Sequence, residues 1–393
     1  MNRKPLVELP AALAVPESGA PRAATGGDAG TGKGGASTDA GAASGTGKGG
    51  ASTDAGAASG AGARYVLGID GGATKTLAAV LDLDRRTLHL GHAGPSNEDA
   101  VGPRLAVKAV LDAADEALAA AGIAQQDLAA AVLAIAGTDT DSVARNLRTA
   151  RPEDWIVVGD VVGAWATATG AQPGVGVISG TGSNVFGVGG TGAATKTWRA
   201  GGWGHLLGDE GSGYWIGAQS IVAALHDRDG SGPETALSDA ALAFFGSPSL
   251  EALAASVYTT PLTKSEVAAF AIETSRLADQ GDGVARELYA RGADLLAKQV
   301  QAVIDRTGLQ GEFPVGLIGS AFRAGAVFVG PLTAAIHDVA PGAHVFPVDM
   351  TPVGGPLLLA ARACGREGEL EDRELARLIE SALDRIATTA SGT

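Results

Sequence analysis

The chain alternates between short apolar runs and longer stretches in which apolar residues recur at helical spacing. The short runs are rich in β-branched residues and stop at glycine, aspartate or serine, which is typical of buried strands that end in tight turns. On this basis we predict strands over residues 65–69, 77–83, 87–91, 128–135, 155–158, 175–178, 313–318 and 344–347.

Helices are predicted where the spacing of the apolar residues lengthens. Residues 105–121 have this pattern and are followed by Gly122, a suitable C-cap. Helices dominate residues 212–308, where Thr263 and Glu266 have the spacing of a capping box. Further helices are predicted over residues 161–169, 354–363 and 369–388.

Strands mixed with helices predict an α/β fold, in which binding sites form at the carboxyl ends of the strands. Two similar series of strands begin at residues 65 and 175, and the first strand of each series ends in a polar turn. We therefore predict two related lobes around a central cleft. They comprise residues 64–172 and 173–368, and the helix over residues 369–388 is expected to pack back on the first lobe.

The first 63 residues differ from the rest in composition. They are mostly glycine, alanine, serine and threonine in their second half, where residues 31–45 are repeated without change as residues 46–60. Such a segment buries too little apolar surface to offset its chain entropy. We predict a disordered tail over residues 1–63 that contributes nothing to stability.

Charge and cysteine content disfavour several classes of function. The net charge of −14 disfavours binding to nucleic acid or to an anionic membrane surface. The sequence shows neither an apolar run of membrane-spanning length nor a secretory signal, so we expect a cytoplasmic protein. The single cysteine, Cys364, excludes an intramolecular disulfide and a cysteine-only iron–sulfur site within one chain.

Two glycine-rich turns carry the candidate chemistry, one over residues 70–76 (DGGATKT) and one over residues 179–184 (SGTGSN). Glycines let backbone N–H groups approach a phosphate, while the hydroxyls and Lys75 add donors and a cation. Each turn alone also fits an ordinary β-hairpin. Two such turns facing each other across a cleft predict a clamp for a nucleotide, with Asp70 placed to hold Mg²⁺ through water.

Two other aspartates follow buried strands, and each has more than one interpretation. Asp139 could take the proton of a substrate hydroxyl that attacks a γ-phosphoryl group, or it could cap the helix that begins near Ser142. Asp160 is a magnesium-shell ligand, a base or a helix cap. The polar segment 201–212 carries Trp203, which could stack on a sugar face or lie in the core.

The motifs resemble, in sequence and in order, those of the N-acetylglucosamine kinases of the BadF/BadG-type ATPase family. This family belongs to the superfamily that unites sugar kinases, actin and heat-shock chaperones. The resemblance extends over about residues 64–365. It rests on GIDGGATKT (68–76), GTD (137–139), VVGDVVGAWATA (157–168), VISGTGSN (177–184), GGWGHLLGDEGSGYWIG (201–217), GLIGSAFRAG (316–325) and PVGGPLLLAA (352–361).

The resemblance implies two ribonuclease-H-like lobes, as in actin-like ATPases, that close on ATP, Mg²⁺ and an amino sugar. It makes Asp139 the general base for the sugar 6-hydroxyl and leaves room for a homodimer. The residues it places in the hexosamine pocket are Asn97, Ser179, Thr181, Gly202, Trp203 and Asp209. The ATP contacts it implies are Gly71, Gly72, Thr74, Lys75, Thr76, Gly180, Gly182, Ser183, Gly319 and Ser320, with Asp70 and Asp160 in the magnesium shell, through water.

The resemblance also defines the expected reaction, the ATP-dependent conversion of N-acetylglucosamine to N-acetylglucosamine 6-phosphate. Glucosamine, N-acetylmuramic acid and N-acetylmannosamine are alternative substrates. Two positions depart from the family pattern: Ala73 replaces a usual third glycine, and Ala200 replaces a cysteine found in some relatives. The same fold serves ATPase activators of 2-hydroxyacyl-CoA dehydratases and non-catalytic sugar sensors, which the lone cysteine and the negative charge disfavour here.

Overall fold

A computed structural model describes residues 9–16, 64–137, 139–260 and 262–391. The tandem repeat and most of the predicted tail, residues 1–8 and 17–63, lie outside the described residues. The first lobe contains the strands β1 (Tyr65–Gly71), β2 (Thr76–Asp82), β3 (Thr87–Ala93), β4 (Leu128–Ile135) and β5 (Ile156–Gly159). They form one sheet in the order β3-β2-β1-β4-β5, in which β1 to β3 are antiparallel and β4 and β5 run parallel to β1.

The second lobe repeats this arrangement. Its strands are β6 (Gly174–Ser179), β7 (Ser183–Gly189), β8 (Lys196–Gly201), β9 (Phe313–Ile318) and β10 (Ala343–Pro347). Their order is β8-β7-β6-β9-β10, again with three antiparallel strands followed by two strands parallel to the first. The predicted α/β fold of two similar lobes is therefore confirmed.

The sequence pattern does not predict β7 and β8. In β7, glycines stand where a strand usually has apolar side chains, and in β8 the polar residues Lys196, Thr197 and Arg199 interrupt the apolar pattern. In β7 these glycines face a helix at close range. A Cβ atom at Gly187 would lie 2.4 Å from Val303 Cγ1, and one at Gly189 would lie 2.4 Å from the carbonyl oxygen of Thr307. The glycines are therefore a packing requirement of a strand and not the mark of a loop.

Helices cover the sheets of both lobes. One face of the first sheet packs on α2 and α3, and the other packs on α4 and α11, the last helices of the first and second lobes respectively. The helices α5 to α9 are inserted between β8 and β9. The α-helices are α1 (Glu98–Val101), α2 (Pro103–Ala121), α3 (Thr140–Ala150), α4 (Asp160–Thr169), α5 (Gly213–Arg228), α6 (Leu237–Phe245), α7 (Leu250–Thr259), α8 (Lys264–Gln280), α9 (Gly283–Thr307), α10 (Ala326–Val339), α11 (Gly354–Ala363) and α12 (Asp372–Ser391), with 3-10 turns at Ala11–Leu13, Gln125–Asp127, Gly192–Ala194 and Ser320–Ala324.

No single helix in the described ranges is long and apolar enough to cross a membrane. The helices α6 and α7 reach that length and composition only when taken together as a bent pair. Leu237 and Leu253 of this pair are buried in the core of the second lobe.

The helices α4 and α11 cross at the junction of the lobes with almost no side chain between them. A Cβ atom at Gly355 would lie 2.0 Å from the carbonyl oxygen of Gly163, so glycine is required for this approach. The hydroxyl of Thr167 accepts a hydrogen bond from the N–H of Gly355 at 3.0 Å and donates one to the Pro352 carbonyl at 3.0 Å. These hydrogen bonds join α4, which leads from the first lobe into the second, to the start of α11 in the second lobe.

Residues 9–16 correct the prediction of a disordered tail over the whole of residues 1–63. Leu13 and Val15 are fully buried in the apolar cluster that also contains α4 and α11. The guanidinium of Arg362 in α11 donates to the Leu13 carbonyl at 3.3 Å, and the N–H of Gly192 in the second lobe donates to the Val15 carbonyl at 2.6 Å. This docked segment, residues 9–16, therefore contacts both the junction and the second lobe.

The C-terminal helix α12 packs on the edge of the first lobe. Leu375 and Ile379 are fully buried in the same apolar cluster as Leu88 of β3. The guanidinium of Arg385 donates to the carbonyl oxygen of Leu88 at 3.0 Å. The helix therefore covers part of a sheet edge that would otherwise be open.

Candidate active site

The first hairpin, residues 70–76, joins β1 to β2. The N–H of Gly72 donates to the carbonyl of Lys75 at 3.0 Å and closes the turn, which leaves Thr74 and Lys75 exposed at its tip. Thr76 differs from its neighbours because it is fully buried and its hydroxyl donates to the Gly94 carbonyl at 2.8 Å. The ATP contact expected at Thr76 stays a prediction; in this structure its hydroxyl anchors the hairpin to the chain after β3.

Two carboxylates lie at the base of the first hairpin. Asp70 is at the end of β1, and Asp160 begins α4, directly after β5. Desolvation, together with the nearby charge of Asp160, raises the pKa of Asp70 to about 6 against the opposing effect of Lys75. Desolvation also raises the pKa of Asp160, and the Val161 N–H and Arg199 oppose that rise. The arrangement concentrates negative charge that a cation would relieve.

The second hairpin, residues 179–184, joins β6 to β7 and is fastened to the loop that follows β8. The hydroxyl of Ser179 donates to the Gly211 carbonyl at 2.8 Å, and the hydroxyl of Ser183 donates to the Glu210 carbonyl at 2.7 Å. Both serines are buried. Their expected contacts with sugar and ATP stay predictions; in this structure the two hydroxyls join the second hairpin to the loop after β8 and so form one wall. Thr181, in contrast, is exposed at the tip.

The loop over residues 201–212 forms the outer part of that wall. Trp203 is 59% exposed, and the guanidinium of Arg199 lies 5.6 Å from the centroid of its ring. Gly202 has a φ of +70°, and a Cβ atom there would lie 2.6 Å from Asn184 Nδ2. Trp203 is thus an open aromatic surface and not a core residue, as a stacking platform requires.

Asp209 is the buried acid of this loop. Its carboxylate forms an ion pair with Lys264, the first residue of α8, with an Nζ–Oδ2 distance of 2.9 Å. Neither Lys264 nor Arg199 stands out in the sequence as a site residue. Lys264 is visible there only as part of a helix start, and Arg199 only as the neighbour of a glycine motif.

Asn97 and Asp139 lie at the same edge of the first sheet, beside Gly137. Each caps a helix: Asn97 Oδ1 accepts from the N–H of Asp99 at 2.8 Å, and Asp139 Oδ1 accepts from the N–H of Ser142 at 2.8 Å. The Asp139 side chain is 60% exposed. The helix-cap interpretation of Asp139 therefore holds, and its second oxygen, Oδ2, lies 3.8 Å from the guanidinium of Arg145 on the exposed surface of α3.

The predicted nucleotide segment after β9 lies against the second hairpin. Gly319 has a φ of +121°, and a Cβ atom there would lie 2.1 Å from the Ser179 carbonyl oxygen. Ser320 is exposed next to it, and its hydroxyl lies 3.8 Å from the position of a Cβ at Gly180. The structure thus brings this segment and the second hairpin together.

Comparison with known proteins gives consistent results. Residues 67–352 match the model of the BadF/BadG/BcrA/BcrD ATPase family. An N-acetylmuramic acid/N-acetylglucosamine kinase from Clostridium acetobutylicum is 33% identical over 254 residues, which are 63% of this chain and 81% of the relative. An N-acetyl-D-glucosamine kinase from Dictyostelium discoideum is 28% identical over 316 residues, 75% of this chain and 97% of the relative.

A solved structure supports the same relationship. A Chromobacterium violaceum protein assigned as an N-acetylglucosamine kinase superposes with a TM-score of 0.61 at 25% identity, covering 76% of this chain and 99% of that protein. The expected family and the expected sugar kinase and actin-like fold are therefore confirmed.

Proposed function

This chain belongs to the BadF/BadG/BcrA/BcrD ATPase family, and we propose that it is an ATP-dependent amino sugar kinase. The substrate we propose first is N-acetylglucosamine, phosphorylated at its 6-hydroxyl. The observation that carries the proposal is the pair of glycine hairpins at equivalent positions of the two sheets, with an exposed tryptophan and a buried acid beside one of them. Two relatives named as N-acetylglucosamine kinases support the substrate class.

The two hairpins would hold the phosphates of ATP between the lobes. In the first hairpin, Gly71 and Gly72 would let the backbone approach a phosphate closely, and the exposed Thr74 hydroxyl and Lys75 ammonium would bind it. In the second, Gly180 and Gly182 provide close backbone approach. Catalysis of phosphoryl transfer depends mainly on positioning the reacting groups and neutralising their charge, so such a clamp would provide a large part of the rate enhancement.

Asp70 and Asp160 fit a magnesium site. Two desolvated carboxylates that raise each other's energy are stabilised by a divalent cation, and Mg²⁺ accepts few protein ligands together with water and phosphate oxygens. Bound there, the ion would supply positive charge to the phosphates. Within the described residues no group of three or more His, Cys, Asp or Glu side chains is placed to hold a metal ion.

We assign the general base to Asp139. Its exposed Oδ2, which is paired only at 3.8 Å with Arg145, would take the proton of the sugar 6-hydroxyl. The hydroxyl oxygen would bond to the γ-phosphorus as the bond from that phosphorus to the β-phosphate oxygen breaks, which releases ADP. Asn97, Trp203 and Asp209 would hold the sugar, with Thr181 and Gly202 near them. Gly319 and Ser320 would contact the nucleotide.

The proposal is tested with a coupled assay for ADP formation and a panel of amino sugars. We expect ADP release to require a sugar and to be fastest with N-acetylglucosamine, compared with N-acetylmuramic acid, glucosamine and N-acetylmannosamine. Product mapping by NMR is expected to place the phosphate on the 6-oxygen. ATP hydrolysis that is independent of every sugar would contradict the proposal and favour an ATPase activator, while sugar binding without turnover would favour a sensor.

A further inference from the structure

We propose that Lys264 is a positioning residue of the sugar site, which holds the Asp209 carboxylate against the second hairpin. This inference rests on the proposed sugar kinase function, in which Asp209 contacts the sugar. The Lys264 ammonium lies 2.9 Å from Asp209 Oδ2, and the Asp209 side chain is only 5% exposed. Asp209 forms no other ion pair with any described residue, so Lys264 alone balances its buried charge.

The backbone at Asp209 is arranged to direct this carboxylate inward. Its φ is +58°, a left-handed conformation that non-glycine residues rarely adopt and that costs energy. The carbonyl of Asp209 accepts a hydrogen bond from the N–H of Ser212 at 3.1 Å, which closes a turn immediately before α5. Such a conformation persists only where surrounding interactions stabilise it, and the ion pair with Lys264 is one of them.

The ion pair lies directly against the second hairpin. A Cβ atom at Gly182 would lie 2.8 Å from Asp209 Oδ2 and 3.2 Å from Lys264 Nζ. Both charged groups therefore occupy the space that a side chain at position 182 would need. The sugar-side acid, the ammonium group and the hairpin proposed for the phosphates are in mutual contact.

Lys264 is held in place by the start of its own helix. The Thr263 hydroxyl accepts from the N–H of Glu266 at 3.2 Å, and the Glu266 carboxylate accepts from the N–H of Thr263 at 2.7 Å. This capping box fixes the first turn of α8, and with it the direction from which Lys264 reaches Asp209. Because the ammonium binds Oδ2, the other carboxylate oxygen, Oδ1, is left for a sugar hydroxyl.

The test compares Lys264→Met and Lys264→Arg with the wild-type enzyme. We expect Lys264→Met to raise the KM for N-acetylglucosamine about 10-fold or more, because a buried carboxylate without its partner loses its fixed orientation. The kcat and the KM for ATP should change less than the sugar KM, and Lys264→Arg should restore most of the loss. Lys108→Met is the matched control, because Lys108 also forms an ion pair but on the exposed face of α2.

Other outcomes would overturn the inference. An unchanged sugar KM in Lys264→Met, with or without a lower melting temperature, would assign Lys264 a purely structural role. If Lys264→Met does not fold, the pair Asp209→Asn and Asp209→Asn/Lys264→Met replaces it. Calorimetric binding of N-acetylglucosamine should then be equal in these two proteins, and a further loss in the double variant would contradict action through Asp209. Absence of sugar kinase activity in the wild type would instead refute the proposed function itself.

Discussion

Asp70→Asn is expected to stabilise the folded protein while it abolishes phosphoryl transfer. Burial and the neighbouring Asp160 raise the pKa of Asp70 from 3.8 to about 6. The folded state therefore keeps the Asp70 proton at pH values where the unfolded state has lost it. Stability from this group falls as the pH rises from 3.8 to 6 and stays low above that range.

The size of the effect follows from the two pKa values. Each pH unit between them changes the free energy of unfolding by about 1.36 kcal/mol, so the ionised Asp70 destabilises the fold by about 3 kcal/mol at pH 8. At pH 5 the same relation gives about half of that value. Asparagine carries no charge at either pH, so the gain of Asp70→Asn over the wild type should be about 3 kcal/mol at pH 8 and about half as large at pH 5.

Urea unfolding of both proteins at pH 5 and pH 8, without magnesium or nucleotide, measures this difference. Asp112→Asn is the control, since Asp112 forms an exposed ion pair with Lys108 and its loss should change stability by less than about 1 kcal/mol. Addition of Mg²⁺ and a non-hydrolysable ATP analogue should stabilise the wild type far more than Asp70→Asn. A variant that is less stable than the wild type at pH 8, or that gains equally at both pH values, would refute the reasoning.

Three further predictions concern other parts of the site and fold. Asp139→Asn should lower kcat by about 10² to 10⁴-fold with little change in melting temperature or in calorimetric sugar binding, because asparagine caps α3 equally well; near-normal turnover would shift the base to Asp160. Gly319→Ala should lower the free energy of unfolding by about 2–4 kcal/mol and raise the KM for ATP, whereas the unobstructed control Gly230→Ala should cost only about 1 kcal/mol. Leu13→Asp should lower the free energy of unfolding by about 2–3 kcal/mol, and equal stability of this variant and the exposed control Ala12→Asp would mean that the docked segment contributes nothing.

Local sequence patterns predict the strands and helices whose bounds are set by residues within or next to the element itself. The strand β4 and the helix α11 have the predicted bounds, because apolar runs and glycine turns mark their ends directly. The strand β7 is missed because close packing against α9, which is distant in sequence, requires its glycines. The strand β8 is missed because polar residues interrupt its apolar pattern. The motifs also predict where the two hairpins stand along the chain.

Side-chain partners across the fold are harder to predict. Ser179 has the composition of a phosphate or sugar contact, yet its hydroxyl is used by the Gly211 carbonyl. Lys264 has the position of a solvated first-turn residue, yet it neutralises a buried acid from another loop. In the docked segment, Leu13 and Val15 belong to a short apolar stretch that precedes a long low-complexity sequence, and no local pattern shows which distant residues they pack against. Each of these depends on which distant groups the fold brings together.

The docked segment also changes how the tandem repeat relates to the fold. Residues 9–16 and Arg64 are both held on the folded body, so residues 17–63 connect two fixed points. The identical copies 31–45 and 46–60 lie wholly inside that connection. The contacts that hold the two fixed points, from Arg362 to Leu13 and from Arg64 to Asp82, lie outside the repeated sequence. A change in the number of copies would therefore leave both attachment points as they are.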